Sequence, residues 1–396
     1  MKIRLLLTAV NSGYLQRLLS VLDFKNVEIA KILIVDMPFG DSFNININEQ
    51  NVPCASYEFL RETVKETYFD YALPFGAEDY VISELVKEGV PREKIFDVRQ
   101  LKSDLDAYEL AELLYNIEEL NESGELSDYD LFIVGMSYSQ SSLYLSEFSM
   151  KAISAAVGSQ DFYYDYLFVK RVFSLANAKF KYALLGAAPF SLHYDVSKSH
   201  VTWRLLPYLI AFSDVRNFYI PIEILKAIFT AEFLNPRRIY RGGGVYDFND
   251  RIGSREKNDR PLGVGDRIAS RASAEHWNNR FFPETKKENL SYLRKSIDIC
   301  LKNHTIPIIT IYPLSIIYRR FFSKKLLDEF YFEIKKIAEE TGALIWNYYE
   351  YKGIKLEDYL DIQHMRLYDG AKKFTPVVDA DLKKLDVEGF WRNFKN

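Results

Sequence analysis

The chain has 396 residues, 48% of them hydrophobic and 27% charged, enough to bury the cores of two globular domains. With 51 basic against 55 acidic residues and a formal net charge of -4, it has no cationic excess for tracking a phosphate backbone, which argues against nucleic acid as a partner. Two isolated cysteines, Cys54 and Cys300, exclude a disulfide framework or zinc knuckle and suit a reducing cytoplasm.

Met1–Val10 is short for a signal peptide and lacks a cleavage context, so Ile3–Val10 reads as a buried first strand. Helical spacing follows over Tyr14–Leu22, then a strand Ala30–Asp36, a short strand Phe69–Leu73, a helix Ala77–Glu88 and a strand Ile95–Val98. This alternation predicts a layered α/β unit. An acidic helix covers Lys102–Leu126, with a linker at Asn121-Glu122-Ser123-Gly124. The domains are therefore expected at 1–124 and 125–396.

The second begins with the strand Tyr129–Val134 and a helical pattern over Ser141–Met150. The apolar region Val201–Leu234 is broken by Arg204, Pro207, Asp214, Arg216, Pro221, Glu223 and Lys226, which excludes a membrane-spanning helix there. Residues 236–283, rich in Arg, Gly, Asp and Asn, read as a long loop insertion. Regularity returns with a helix Glu288–Lys302, a strand Ile306–Tyr312, a helix Lys324–Thr341, a strand Ala343–Asn347 and a final helix from Asp369. The 28 tyrosines suit cores and interfaces as readily as a carbohydrate-binding surface.

Two segments carry chemistry. Gly135-Met136-Ser137-Tyr138-Ser139-Gln140 follows a strand and precedes a helix, the place where parallel sheets gather reactive groups. A serine there is a candidate nucleophile beside unsatisfied helix-opening amides, or simply a helix cap. Asp361-Ile362-Gln363-His364 supplies the base that a weak serine nucleophile needs and the carboxylate that orients that base. His193, just past a strand end, is an alternative functional group, and Arg237 and Arg238 are candidates to clamp an anionic substrate. No His, Asp, Glu and Cys spacing is ligand-like, so no metal and no cofactor is expected.

The order of Ser137 and then Asp361-x-x-His364 just before the last helix resembles the SGNH (GDSL-like) hydrolase superfamily. It is most similar to the branch that includes the C-terminal region of the D-alanyl-lipoteichoic-acid biosynthesis protein and related proteins of bacterial surface-polysaccharide loci. Gly158–Tyr166, Lys181–Gly186, Tyr194–Ser197, Ile308–Pro313, Tyr318-Arg319 and Gly370–Thr375 fit the same branch. The resemblance covers about residues 128–380. PFGAEDYVISELVKEGVPREKIFDV, in the first domain, looks like the small Rossmann-like domains of bacterial nucleotide-sugar and glycan enzymes, although G-x-G-x-x-G is lacking.

The resemblance implies a three-layer α/β fold with a parallel, flavodoxin-like sheet, preceded by the smaller Rossmann-like α/β domain. It implies a serine esterase or acyltransferase with Ser137 as nucleophile, His364 as base and Asp361 as its orienter. The oxyanion hole would use the amides of Ser137 and of Gly158 or Ser159. The asparagine that usually completes it is missing after Tyr182–Leu185, where Gly186-Ala187-Ala188-Pro189 stands, and Gln160 or Tyr138 is the candidate substitute. A second departure is Met365-Arg366, where the branch commonly has Leu-Asn. The implied partner is an acylated surface glycan or its precursor, with glycan-biosynthesis enzymes as possible associates. The expected location is cytoplasmic or peripheral at the inner membrane face. The alternatives are a non-catalytic glycan-binding or assembly protein on the same fold, and a nucleotide site within residues 1–100.

Overall fold

A computed structural model of the chain describes residues 2–38, 40–76, 78–98, 104–199, 204–217, 220–234 and 262–394. The protein is α/β, with two separate five-stranded sheets that are mostly parallel. Contacts divide it into two units, Met1–Tyr115 with Val196–Gly242, and Asn116–Asp195 with Gly243–Asn396.

In the first unit, strands β1 (Ile3–Ala9), β2 (Val27–Ile34), β3 (Ser42–Ile47), β4 (Gln50–Ser56) and β5 (Tyr71–Phe75) lie in the order β3-β4-β2-β1-β5. β1 runs parallel to β2 and β5, and β2 to β4; only β3 is antiparallel. Leu5, Leu6 and Leu7 are fully buried, as in the interior strand of a parallel sheet. The β3–β4 hairpin turns through Asn48 and Glu49, both at positive φ, the backbone of a two-residue hairpin loop. The expected strand Ile95–Val98 is reduced to a single bridge between Ala72 and Ile95 after the 3-10 turn Arg92–Lys94.

The division differs from the single cut expected after residue 124. Residues 196–242 join the first unit because Leu22 bridges Phe229, Asp23 N–H donates to Ile228 O at 2.9 Å, and Phe96 packs edge-on against Phe229. The boundary near residue 115 falls inside the helix Asp104–Glu122, because the end of that helix is held by the second unit. Glu118 pairs with Arg171, and Asn177 donates through its amide to Asn121 Oδ1 at 2.9 Å and through Nδ2 to Asn121 O at 2.7 Å.

The second unit has an all-parallel sheet of β6 (Leu131–Val134), β7 (Ala152–Ser154), β8 (Tyr182–Ala187), β9 (Ile306–Ile311) and β10 (Leu344–Asn347), in the order β10-β9-β8-β6-β7. The interior strands β6, β8 and β9 are buried throughout, whereas the edge strand β10 is partly exposed. The helix Lys324–Thr341 shows how the sequence builds a layer. Ser323 accepts from the Leu326 amide and starts it, and Gly342 caps its end. Leu326, Phe330, Ile334 and Ile337 line its buried face, each contributing about 1.5–3 kcal/mol.

The loop expected at 236–283 is partly helix: Val264–Asn278 is helical and buries Ser270, Ala274 and Trp277 at helical spacing, while residues 235–261 lie outside the described set. Alanines and one tryptophan gave it too little periodic signal to stand out. The helical pattern at Ser141–Met150 is instead a helix at Ser137–Ser142 and a 3-10 turn at Leu145–Glu147. Among the described residues no helix is long and apolar enough to cross a membrane.

Candidate functional site

In the second sheet the strand order reverses between β6 and β8, and in such sheets the crevice beyond the carboxyl ends at that point is where ligands bind. Gly135 and Gly186 close these two strand ends. A Cβ on Gly135, whose φ is +141°, would lie 3.0 Å from the Gly186 Cα and 2.3 Å from Ser139 Oγ. A Cβ on Gly186 would meet the same oxygen at 1.9 Å. Missing side chains here let the helix Ser137–Ser142 start hard against the sheet, which places Ser137 at the crevice.

The cap of that helix is Met136, without a side-chain cap bond, so Ser137 does not serve as the cap. Its Oγ lies 2.8 Å from His364 Nε2. His364 Nδ1 faces both oxygens of Asp361, at 2.8 and 3.0 Å. Two acceptor oxygens at Nδ1 place the proton there, leaving Nε2 to accept from the serine hydroxyl. The loop enforces this geometry locally. Asp361 Oδ1 also accepts from the amides of Gln363 (2.7 Å) and His364 (2.8 Å), Leu360 N–H donates to His364 O, and Ser315 Oγ donates to Ile362 O. Burial raises the Asp361 carboxyl, but the His364 ring and these two amides outweigh it and hold the group below the ordinary carboxylate value. Ser137, His364 and Asp361 are all partly exposed, so an incoming molecule can reach them.

Gly158 and Ser159 sit on the turn after β7, also partly exposed. Ser159 holds φ at +61°, a backbone state costing a non-glycine residue roughly 1–3 kcal/mol and concentrated at functional sites. Two side chains keep it there. Tyr194 OH donates to Ser159 O at 3.2 Å, and Gln160, fully buried, donates through Nε2 to Asp165 Oδ1 (2.7 Å), Ala155 O (3.1 Å) and Gly135 O (3.4 Å). Gln160 is therefore a strut between the turn and the end of β6, not a donor to a ligand. Burial drives the Asp165 carboxyl well above its ordinary value despite the bond from Gln160.

Tyr138 is buried, its ring stacked on His364 at 5.9 Å between centroids. It forms a wall of the site. Burial first, and then Tyr318, push its phenol well above the ordinary value. No asparagine follows β8: Ala188 N–H donates to Ser191 Oγ at 2.9 Å, closing a turn. His193 is engaged with other partners, within 3.2 Å of Glu329 Oε2 and accepting from Phe282 N–H at 3.2 Å. Arg237 and Arg238 lie outside the described residues. Met365 is buried beside the loop, where Gly370 packs against it.

Sequence reasoning missed the partners of Gln363, the residue before His364. Gln363 Nε2 donates to Ser273 Oγ at 3.1 Å, Ser273 Oγ lies 3.2 Å from Tyr318 OH, and the neighbouring Trp277 stacks on Phe190 at 4.2 Å. Only Gln363, adjacent to the histidine, offered a signal; Ser273 and Trp277 fell in the stretch read as loop.

The trio makes a hydroxyl whose proton an oriented imidazole can accept. Among the described residues no group of three or more His, Cys, Asp or Glu side chains could hold a metal ion. No protein-family model matches the chain, and no curated protein matches it.

Proposed function

We propose that this protein is a serine-dependent esterase or O-acyltransferase of the SGNH type, acting on acyl groups of a bacterial surface glycan or its precursor. The observation that carries the reading is the Ser137–His364–Asp361 hydrogen-bond chain at the point where the strand order reverses. Counted from β6, that sheet runs 2-1-3-4-5, the flavodoxin-like order, which supports the SGNH expectation. In the first unit β4-β2-β1-β5 is the order of a Rossmann half, in support of a Rossmann-like domain. Against a nucleotide there, Asn11 Oδ1 already accepts from the amides of Gly13 (3.1 Å) and Tyr14 (3.2 Å), the donors a phosphate would need.

In this mechanism Ser137 Oγ attacks the acyl carbonyl carbon while His364 Nε2 takes its proton. The amides of Ser137 and of the Gly158-Ser159 turn donate to the oxyanion. His364 then protonates the departing sugar oxygen, leaving an acyl-serine. Water or a second sugar hydroxyl, deprotonated by His364, attacks that ester, and His364 returns the proton to Ser137 Oγ as its bond to the acyl carbon breaks. Lacking a third oxyanion donor costs about 3 kcal/mol, so turnover is slow relative to a complete site. Glycan-biosynthesis enzymes are the natural associates, at the cytoplasmic side of the membrane where precursors are made.

The alternative, a non-catalytic glycan-binding or assembly protein, is favoured by the Ala188-Pro189 sequence in place of an asparagine. Hydrolysis of p-nitrophenyl acetate separates the two. The enzyme reading expects turnover by the wild type, reduced at least a hundredfold in Ser137→Ala and in His364→Ala. Equal rates in all three folded proteins would leave the assembly reading standing.

A further inference from the structure

The strands of the second sheet are parallel, so the carboxyl end of β10 opens on the same edge as Ser137. A cavity of about 500 Å³ lies there, lined by Tyr331, Asn347, Tyr348, Tyr349, Glu350 and Tyr351. Small-molecule sites commonly have this size.

Two of its aromatic walls, Tyr348 and Tyr349, are held in place. Tyr348 OH donates to Asp381 Oδ2 at 2.8 Å. Tyr349 OH donates to Arg319 O at 3.2 Å, and Arg319 Nη1 returns a bond of 2.9 Å to Tyr349 O. Asn347 Oδ1 accepts from the Tyr349 amide at 3.1 Å. With these phenols fixed, the ring planes pay little entropy on binding. Tyr331, Tyr348 and Tyr351 remain partly exposed, and Asn347 and Glu350 are exposed.

The lining defines the ligand's chemistry. Among the described residues no Lys, Arg or His lines the cavity and one carboxylate does, which disfavours phosphate, uronate or any other anion. Phenol faces suit the C–H face of a pyranose ring, while Asn347 and Glu350 can bond its hydroxyls. β10 is three strands from β6, about 14 Å along the edge at ordinary strand spacing. A ring in the cavity is therefore set off along that edge from the strand that leads to Ser137.

We propose that this tyrosine-lined cavity binds a neutral pyranose unit of an oligosaccharide, remote from the unit whose acyl group meets Ser137. The proposal rests on the acyl-serine reading for its role, but its binding test stands apart from that chemistry. Saturation-transfer NMR on the full chain would use maltotriose, cellotriose and chitotriose, each alone. At least one should receive saturation from the wild type and equally from Ser137→Ala. Binding should weaken at least tenfold in Tyr331→Ala and in Tyr351→Ala, and should stay within threefold in Tyr331→Phe, which keeps the ring. No transfer to any of the three, or undiminished transfer with both alanine variants, overturns the subsite. Sugar binding by a wild type that a fluorophosphonate cannot label would instead remove the acyl-serine reading and leave the binding site in place.

Discussion

Replacing Gln160 with methionine keeps side-chain volume and removes the donor that spans three acceptors. The bonds to Asp165 (2.7 Å) and Ala155 O (3.1 Å) are the short ones, and both acceptors are buried. Leaving a buried acceptor unpaired costs about 1–3 kcal/mol, so the variant should lose roughly 2–6 kcal/mol. For a domain of this size that is a fall in Tm of roughly 4–24 °C. The Gly158-Ser159 turn should also lose its position, and misplacing one oxyanion donor costs about 10²–10³ in kcat. Differential scanning fluorimetry and p-nitrophenyl acetate kinetics measure both, at a temperature where the variant is folded. A lower Tm with unchanged kcat/KM would refute the role given to the turn. An unchanged Tm would refute the strut itself.

Three further perturbations follow from the same geometry. Asp361→Asn keeps an oxygen for the two loop amides but cannot accept from Nδ1–H as a carboxylate does, so kcat should fall by about 10²–10⁴ with little change in Tm; a loss below threefold would count against it. The Asp165 carboxyl is raised by burial, so the folded chain keeps a proton that the unfolded chain releases above about pH 3.9. Stability is therefore lost as pH rises through that window, by up to about 1.4 kcal/mol per pH unit, until the folded group ionises. Asp165→Asn removes this slope, and its Tm relative to the wild type should rise as pH increases from about 4; a constant gap would contradict a raised Asp165 carboxyl. Gly186→Ala drives a Cβ to 1.9 Å from Ser139 Oγ and 3.1 Å from Val134 O, and should cost about 1–3 kcal/mol, partly restored by adding Ser139→Ala. Urea denaturation of both variants would show whether the two positions couple.

Periodicity made the covered strands and long amphipathic helices legible. The run Leu131–Val134 and the helix Lys324–Thr341 fall where expected, because burial on both faces or on one stripe leaves an unambiguous pattern. The β3–β4 hairpin was missed because Asn48-Glu49 adopts positive φ without the Asn-Gly or Asp-Gly that usually announces such a turn. β7 is three residues long, too short to carry a period. At the site, Ser137, Asp361 and His364 stood out through the family resemblance that their order along the chain carries, since each segment alone also has a bland reading. The function of Gln160 was misread since a polar side chain beside a turn looks like a ligand donor. Only burial and three carbonyl or carboxyl acceptors reveal it as a strut. Ser273 meets Gln363, the residue before His364, from a helix about ninety positions away in the chain, a proximity no local pattern encodes.

The most direct measurement is the intact mass and adduct site after treatment with a fluorophosphonate, which phosphonylates a serine only where a base activates its hydroxyl. A single adduct mapped to Ser137, absent from folded Ser137→Ala and slowed at least a hundredfold in His364→Ala, is the expected result. An unmodified wild type, or an adduct on another residue that persists in Ser137→Ala, would contradict it.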